Sequence, residues 1–80
     1  MAMRVPLTDM VEGETARVVE FLGGRGAVGR LARLGIREGA MLTMLHDPHM
    51  GGPVVISVAG SQVALGFGMA TKVVVEVPRR

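Results

Sequence analysis

VVEFLGGRGAVGRLARLG, residues 18–35, decides how the rest of the chain is read. A β-like run from Val18 to Leu22 enters a glycine-rich turn, and a helical pattern leaves it. Gly24-Arg25-Gly26-Ala27-Val28-Gly29 carries the spacing G-x-G-x-x-G of a dinucleotide-binding loop. Asp47 follows roughly 20 residues later, where such a site places its ribose-binding carboxylate. A dinucleotide site, however, needs a parallel βαβ unit whose crossover helix returns the chain beside the first strand. The helix here is only about two turns long, and hairpin-like segments follow it. The glycines therefore read as bends from strand to helix.

Within the helix, Ala27, Val28, Leu31 and Leu34 share an arc of roughly 120° at about 100° per residue. Arg30, Arg33 and Arg37 lie on the other side. The spacing predicts a short amphipathic helix over 27–34, with Leu31 and Leu34 in the core. Gly35 stands where a left-handed residue ends a helix.

Turn signals recur outside this stretch, at Glu12-Gly13, Glu38-Gly39, Asp47-Pro48, Gly51-Gly52-Pro53, Gly60-Ser61 and Gly66. Between them run β-branched segments, Ala16–Leu22, Met41–His46, Val54–Val58, Gln62–Leu65 and Val73–Val77. Short strands cut by glycine and proline turns predict a mainly β fold, a small antiparallel barrel or sandwich. Val54–Val58 and Val73–Val77 are nearly continuously apolar, as in strands buried on both sides or lying over a barrel seam. A single helical turn is expected near 66–71, loosened by Gly68.

Eighty residues make one domain, 1–80. A chain this short buries only about 60% of its unfolded surface. Hydrophobic residues make up 49%, which argues for a packed globule over disorder. With no cysteine, neither disulfides nor a cysteine zinc site can staple it. MAMRVPLTDM has no secretory pattern and no run of 18 apolar residues occurs, so a cytosolic protein without membrane insertion is expected. The net charge is only +2, and Phe21 and Phe67 are the only aromatic residues, both in apolar surroundings. That is too few stacking groups for a single-strand platform, and nucleic acid is not expected as a partner.

The run Arg30-Leu31-Ala32-Arg33-Leu34-Gly35-Ile36-Arg37-Glu38-Gly39 resembles the R-L-x-x-L-G-[IL]-x-x-G signature of FeoA proteins. Pro6-Leu7-Thr8-Asp9-Met10 with Glu12-Gly13-Glu14 is similar to the family's opening P-L-S-x-L-x-x-G-E. Gly51-Gly52-Pro53 and Val58 to Gly66 resemble its G-G-P and V-x-G-x-x-[IV]-A-L-[GR] segments. The likeness spans Pro6 to Val77 in the family's order. It implies an SH3-like β-barrel of about five strands. It also implies a non-enzymatic accessory of ferrous iron uptake that binds the cytosolic part of the FeoB transporter. Two alternatives are a nucleic-acid-binding SH3-like module and a metal-responsive domain like the C-terminal domain of iron-dependent repressors.

Candidate residues follow from this. Arg30, Arg33, Arg37 and Met50 are candidates for contact with a partner; a solvated helix face is the competing reading of the arginines. His46, Asp47 and His49 are the candidates for metal, because imidazole and carboxylate suit Fe2+ or Zn2+. They flank a proline turn and leave a coordination shell incomplete, so a solvated hairpin loop competes with a ligand set, and no cofactor is required. Met50 with Met41, Met44 and Met69 offers either an adaptable apolar surface or core filling, and core filling is expected for most of them. Ser57 and Ser61 lack a G-x-S-x-G elbow, and no catalytic set is visible. The sequence is silent on oligomeric state, and a weak homo-oligomer is left open.

Overall fold

The structure of the protein, a computed structural model, describes residues 1–78. Six strands form one sheet: β1 (Met3–Pro6), β2 (Thr15–Phe21), β3 (Met41–His46), β4 (Val54–Val58), β5 (Ser61–Leu65) and β6 (Val73–Val77). Their order across the sheet is β1-β6-β2-β3-β4-β5, and every neighbouring pair is antiparallel. No parallel βαβ unit exists among them, which removes the dinucleotide reading of the glycine run. The strand count is one above expectation. Met3–Pro6 has a single core residue, Val5, so its alternation is too short to register in the sequence.

Strand alternation explains the rest. Ala16 and Val18 of β2, Leu42 and Met44 of β3, and Val73, Val75 and Val77 of β6 point into one continuous core. Val54, Ile56 and Val58 of β4 join them. The outer faces of β4 and β6 are half-buried, so of the two readings of these apolar runs, full burial on both sides is not met. Val55 and Val74 on those faces are half-buried.

The sheet bends at two bulges, where its register shifts between Val18 and Glu20 against β6 and between Met44 and His46 against β4. A bulge adds twist and coils the sheet around its own inner face. A 3-10 turn, Leu7–Asp9, inserts Leu7 into the core. A four-residue helix, α2 (Phe67–Ala70), buries Ala70 and realises the turn expected near 66–71. The side chain of Thr71 donates to the Gly68 carbonyl at 2.7 Å and closes that turn. No helix among the described residues is long and apolar enough to cross a membrane.

Candidate functional site

The long helix, α1 (Arg25–Arg33), connects β2 to β3. It begins two residues earlier and ends one residue earlier than the periodicity implied. Leu31 and Ala27 are buried, but Leu34 is 42% exposed, so the core assignment of Leu34 is corrected. The cause is local. Leu34 is the C-cap, with φ −90° and ψ 1°, and there the chain leaves helical geometry. Gly35, at φ +88°, then reverses direction. The Gly35 N–H donates to Ala32 at 3.0 Å and the Ile36 N–H to Leu31 at 2.9 Å. This is the Schellman arrangement, in which the second residue past the cap packs against the last inward residue of the helix. Ile36, fully buried, takes the place that Leu34 was expected to fill.

Both ends of α1 are crowded against the barrel. A Cβ on Gly23 would lie 2.8 Å from the Ala27 Cβ and 3.2 Å from the Lys72 side chain. Beside it, the Leu22 N–H donates to the Lys72 carbonyl at 2.8 Å. A Cβ on Gly35 would meet that of Ala59, in the β4–β5 turn, at 3.1 Å. The close approaches are thus made by Gly23 and Gly35. At the fingerprint glycines Gly24, Gly26 and Gly29 a Cβ would meet nothing within 4 Å.

Arg30, Arg33 and Arg37 are all exposed, as expected. Among the described residues, the ion pairs within bridging distance are Arg17–Glu76 and His49–Asp47, so no carboxylate neutralises this group. Arg30 reaches only the Gly26 carbonyl, at 3.5 Å. Arg30 and Arg33 lie in the last turn, where a cation gains about 0.3–1 kcal/mol from the helix dipole.

A second feature escaped the sequence. Arg4 of β1, Glu76 of β6, Arg17 of β2 and Met41 of β3 fall opposite one another in one row across the outer face. Arg4, Arg17 and Glu76 line an open depression of about 390 Å³ with Val18, Val19, Glu38 and Gly39. Arg17 and Glu76 stand 3.5 Å apart and partly exposed, a pair worth roughly 0–1 kcal/mol. The two arginines and two glutamates that line it cancel in formal charge. Alternation shows that Arg17 and Glu76 point outward, but not that they are neighbours.

The metal candidates lie on the β3–β4 connection, around a 3-10 turn, Pro48–Met50. Asp47 caps that turn, accepting from the His49 N–H at 2.8 Å and from the His49 ring Nδ1 at 2.7 Å. These bonds, the backbone one first, hold the Asp47 carboxyl below its ordinary pKa of 3.8. His46 turns to the Gly51 carbonyl, 2.6 Å from its Nε2. Among the described residues no three His, Cys, Asp or Glu side chains are grouped so as to hold a metal ion. His46 closes β3 and Asp47 and His49 follow it in the loop, where Asp47 and one ring nitrogen of each histidine have partners.

Of the methionines, Met44 is fully buried, Met69 is half-buried against the core, and Met41 is 54% exposed, which corrects its core assignment. The Met50 side chain lies outside the described residues. Phe67, expected in apolar surroundings, is 55% exposed. Ser57 sits on the outer face between Thr43 and Gln62, in a polar row that Thr15 extends through a 3.0 Å hydroxyl contact with Thr43.

The FeoA domain model matches residues 5–77. A protein of Methanocaldococcus jannaschii named "Putative Fe(2+) transport protein A" is 41% identical over 71 residues, covering 89% of this chain and 84% of its own. The crystal structure of an iron uptake regulatory protein (FeoA) superposes with a TM-score of 0.83 at 40% identity, over 91% of this chain and 95% of that one. The FeoA of Stenotrophomonas maltophilia, solved with zinc and described as a procaryotic SH3 domain protein, superposes at 0.74 and 28% identity, over 98% and 99%. The match runs from β1 through β6 and takes in the clamped helix with its glycine stop, and by it this chain belongs to the FeoA domain family, a family associated with Fe(2+) transport.

Proposed function

We propose that this chain is a non-enzymatic, cytoplasmic accessory of ferrous iron uptake that docks on the cytosolic part of a FeoB-type transporter. The docking surface is the arginine face of α1, with Arg37 just beyond it. One observation carries this reading: Arg30, Arg33 and Arg37 are exposed and free of carboxylate partners within the described residues, on a helix fastened at both ends. A guanidinium already neutralised in its own chain has little to offer a partner. An unpaired one on a rigid support can form forked bonds to carboxylates without ordering a loop first. The partner surface is therefore acidic. Ferrous iron is the transporter's cargo, and the accessory role needs no resident metal.

The test is retention of the transporter's cytosolic part on the immobilised chain at physiological salt. Replacing Arg30→Glu and Arg33→Glu together is expected to weaken retention about tenfold or more, because like charges then meet across the interface. Unchanged retention by a folded double variant sinks the proposal. Retention on DNA that falls steeply with salt, without transporter binding, would assign the same arginines to phosphate.

A further inference from the structure

β4 and β5 form a two-residue hairpin. Val58 pairs with Ser61 across Ala59 and Gly60, whose φ values of 51° and 79° mark a primed turn. The closing pair of such a hairpin exchanges both backbone hydrogen bonds, and bonded pairs alternate from there. Ser61, Val63 and Leu65 therefore turn their N–H and C=O groups toward β4, and Gln62 and Ala64 turn theirs away. β5 is the last strand in the sheet order, and no backbone bond among the described residues engages Gln62 or Ala64 from the free side. Ser61, Gln62 and Ala64 are exposed, so the edge is open.

The opposite edge is managed differently. β1 carries the charge of Arg4 and ends on Pro6, which has no N–H to give. Both devices discourage strand addition. β5 has neither, and it pairs with β4 without a bulge. From Met50 to Thr71 no residue is ionisable, so the edge strand itself carries no charge to repel another copy of it.

We propose that β5 is a self-association edge, to which the β5 of a second copy of this chain adds antiparallel with Val63 on the two-fold axis. Gln62 then faces Ala64 of the second copy, the two exchange both backbone bonds, and the symmetry repeats the pair. Four backbone hydrogen bonds join two six-stranded sheets into one.

The flanks agree with that register. Gly60 falls opposite Gly66 of the second copy, and open space surrounds both, so no side chain props the ends apart. Phe67, exposed just beyond Gly66, comes level with the Ala59 turn of the second copy. An unrelated extended peptide has no reason to place glycines opposite Gly60 and Gly66; a second copy does so by symmetry. The contact is short, well under the ~1,200 Å² of a stable interface, and the dimer is correspondingly transient.

Sedimentation velocity of the full chain from ~10 μM to ~1 mM is expected to show a weight-average coefficient that rises with concentration, as a weak interface requires. Ala64→Pro removes an outward N–H and leaves the β4 ladder intact, so this variant should melt normally and stay monomeric. A second arm reads the register. The chain has no cysteine, so Gln62→Cys chains can be mixed with Ala64→Cys chains under mild oxidation. Facing Cα atoms about 5.5 Å apart lie within disulfide reach. The mixture should give several-fold more cross-linked dimer than either variant alone. A coefficient constant up to ~1 mM, or equal cross-linking in all three samples, overturns the proposal. A monomer that captures extended peptides at this edge would overturn it too.

Discussion

Two connections in this chain imitate ligand sites, and they are held in place by opposite means. Gly23 to Gly35 has the glycine spacing of a phosphate loop, yet its fastening is apolar and tight: Gly23 has no room for a Cβ, and Leu31 and Ile36 are buried through the reversal at Gly35. His46 to Gly52 has donors suited to a metal, yet its fastening is polar and local, with Asp47 capping the turn and His46 bonded to Gly51. The first connection is part of the core and the second is not. The same residue types that make ligand sites also make turns and caps. The neighbours decide between them, and neighbours are what a spacing pattern omits.

The contrast breaks most readily at Leu31. Leu31→Ala removes a buried side chain from the first connection and is expected to lower stability by about 2–5 kcal/mol in a denaturant titration. A loss comparable to that of a surface substitution would mean the helix is not part of the core. Gly23→Ala comes next. Its new methyl meets the Ala27 Cβ, which cannot rotate away, and overpacking of this kind costs about 1–3 kcal/mol. Thermal melts of the variant should fall accordingly, and an unchanged melt would show that the bend has slack. Leu34→Ala sharpens the boundary of the tight region, because it stands one residue from the glycine stop yet is 42% exposed; a loss under about 1 kcal/mol is expected.

The second connection should respond weakly and locally. The Asp47 carboxyl titrates below 3.8 in the folded chain, so its bonds contribute fully above that value. The contribution fades as pH falls through the lowered folded pKa. The His49 amide shift, followed by NMR on acidification, should therefore have a midpoint under 3.8. A midpoint at or above it would show that the cap is not formed in solution. Zn2+ added at stoichiometric concentration is expected to leave the melting temperature unmoved, since among the described residues no three His, Cys, Asp or Glu side chains are grouped to hold it. A rise of several degrees would turn the loop into a ligand site by linkage.

Much of the barrel was legible in the sequence for a physical reason. Five strands carry apolar residues at their inward positions, and a glycine or proline follows each within two residues. Leu34 misled because a 100° period assumes that helical geometry continues, and at the C-cap it stops. The stripe passes instead to Ile36, two residues past the cap and through a left-handed glycine. Met3–Pro6 was illegible because one inward valine makes no pattern. The arginine face of α1 could be read because periodicity alone places Arg30 and Arg33 outward. The Arg4–Glu76–Arg17 row could not, since register sets it between strands that lie at opposite ends of the chain.

The crowding at the two ends of α1 has a mechanical consequence. A helix pinned at one end against Lys72, next to β6, and at the other against the tip of the β4–β5 hairpin behaves as a strut between distant parts of the wall. Pressure on its arginines cannot be absorbed by a swinging loop. It is handed to the barrel at two points at once, one of them where the chain reverses into the open edge strand. Whatever grips this helix therefore also leans on that edge.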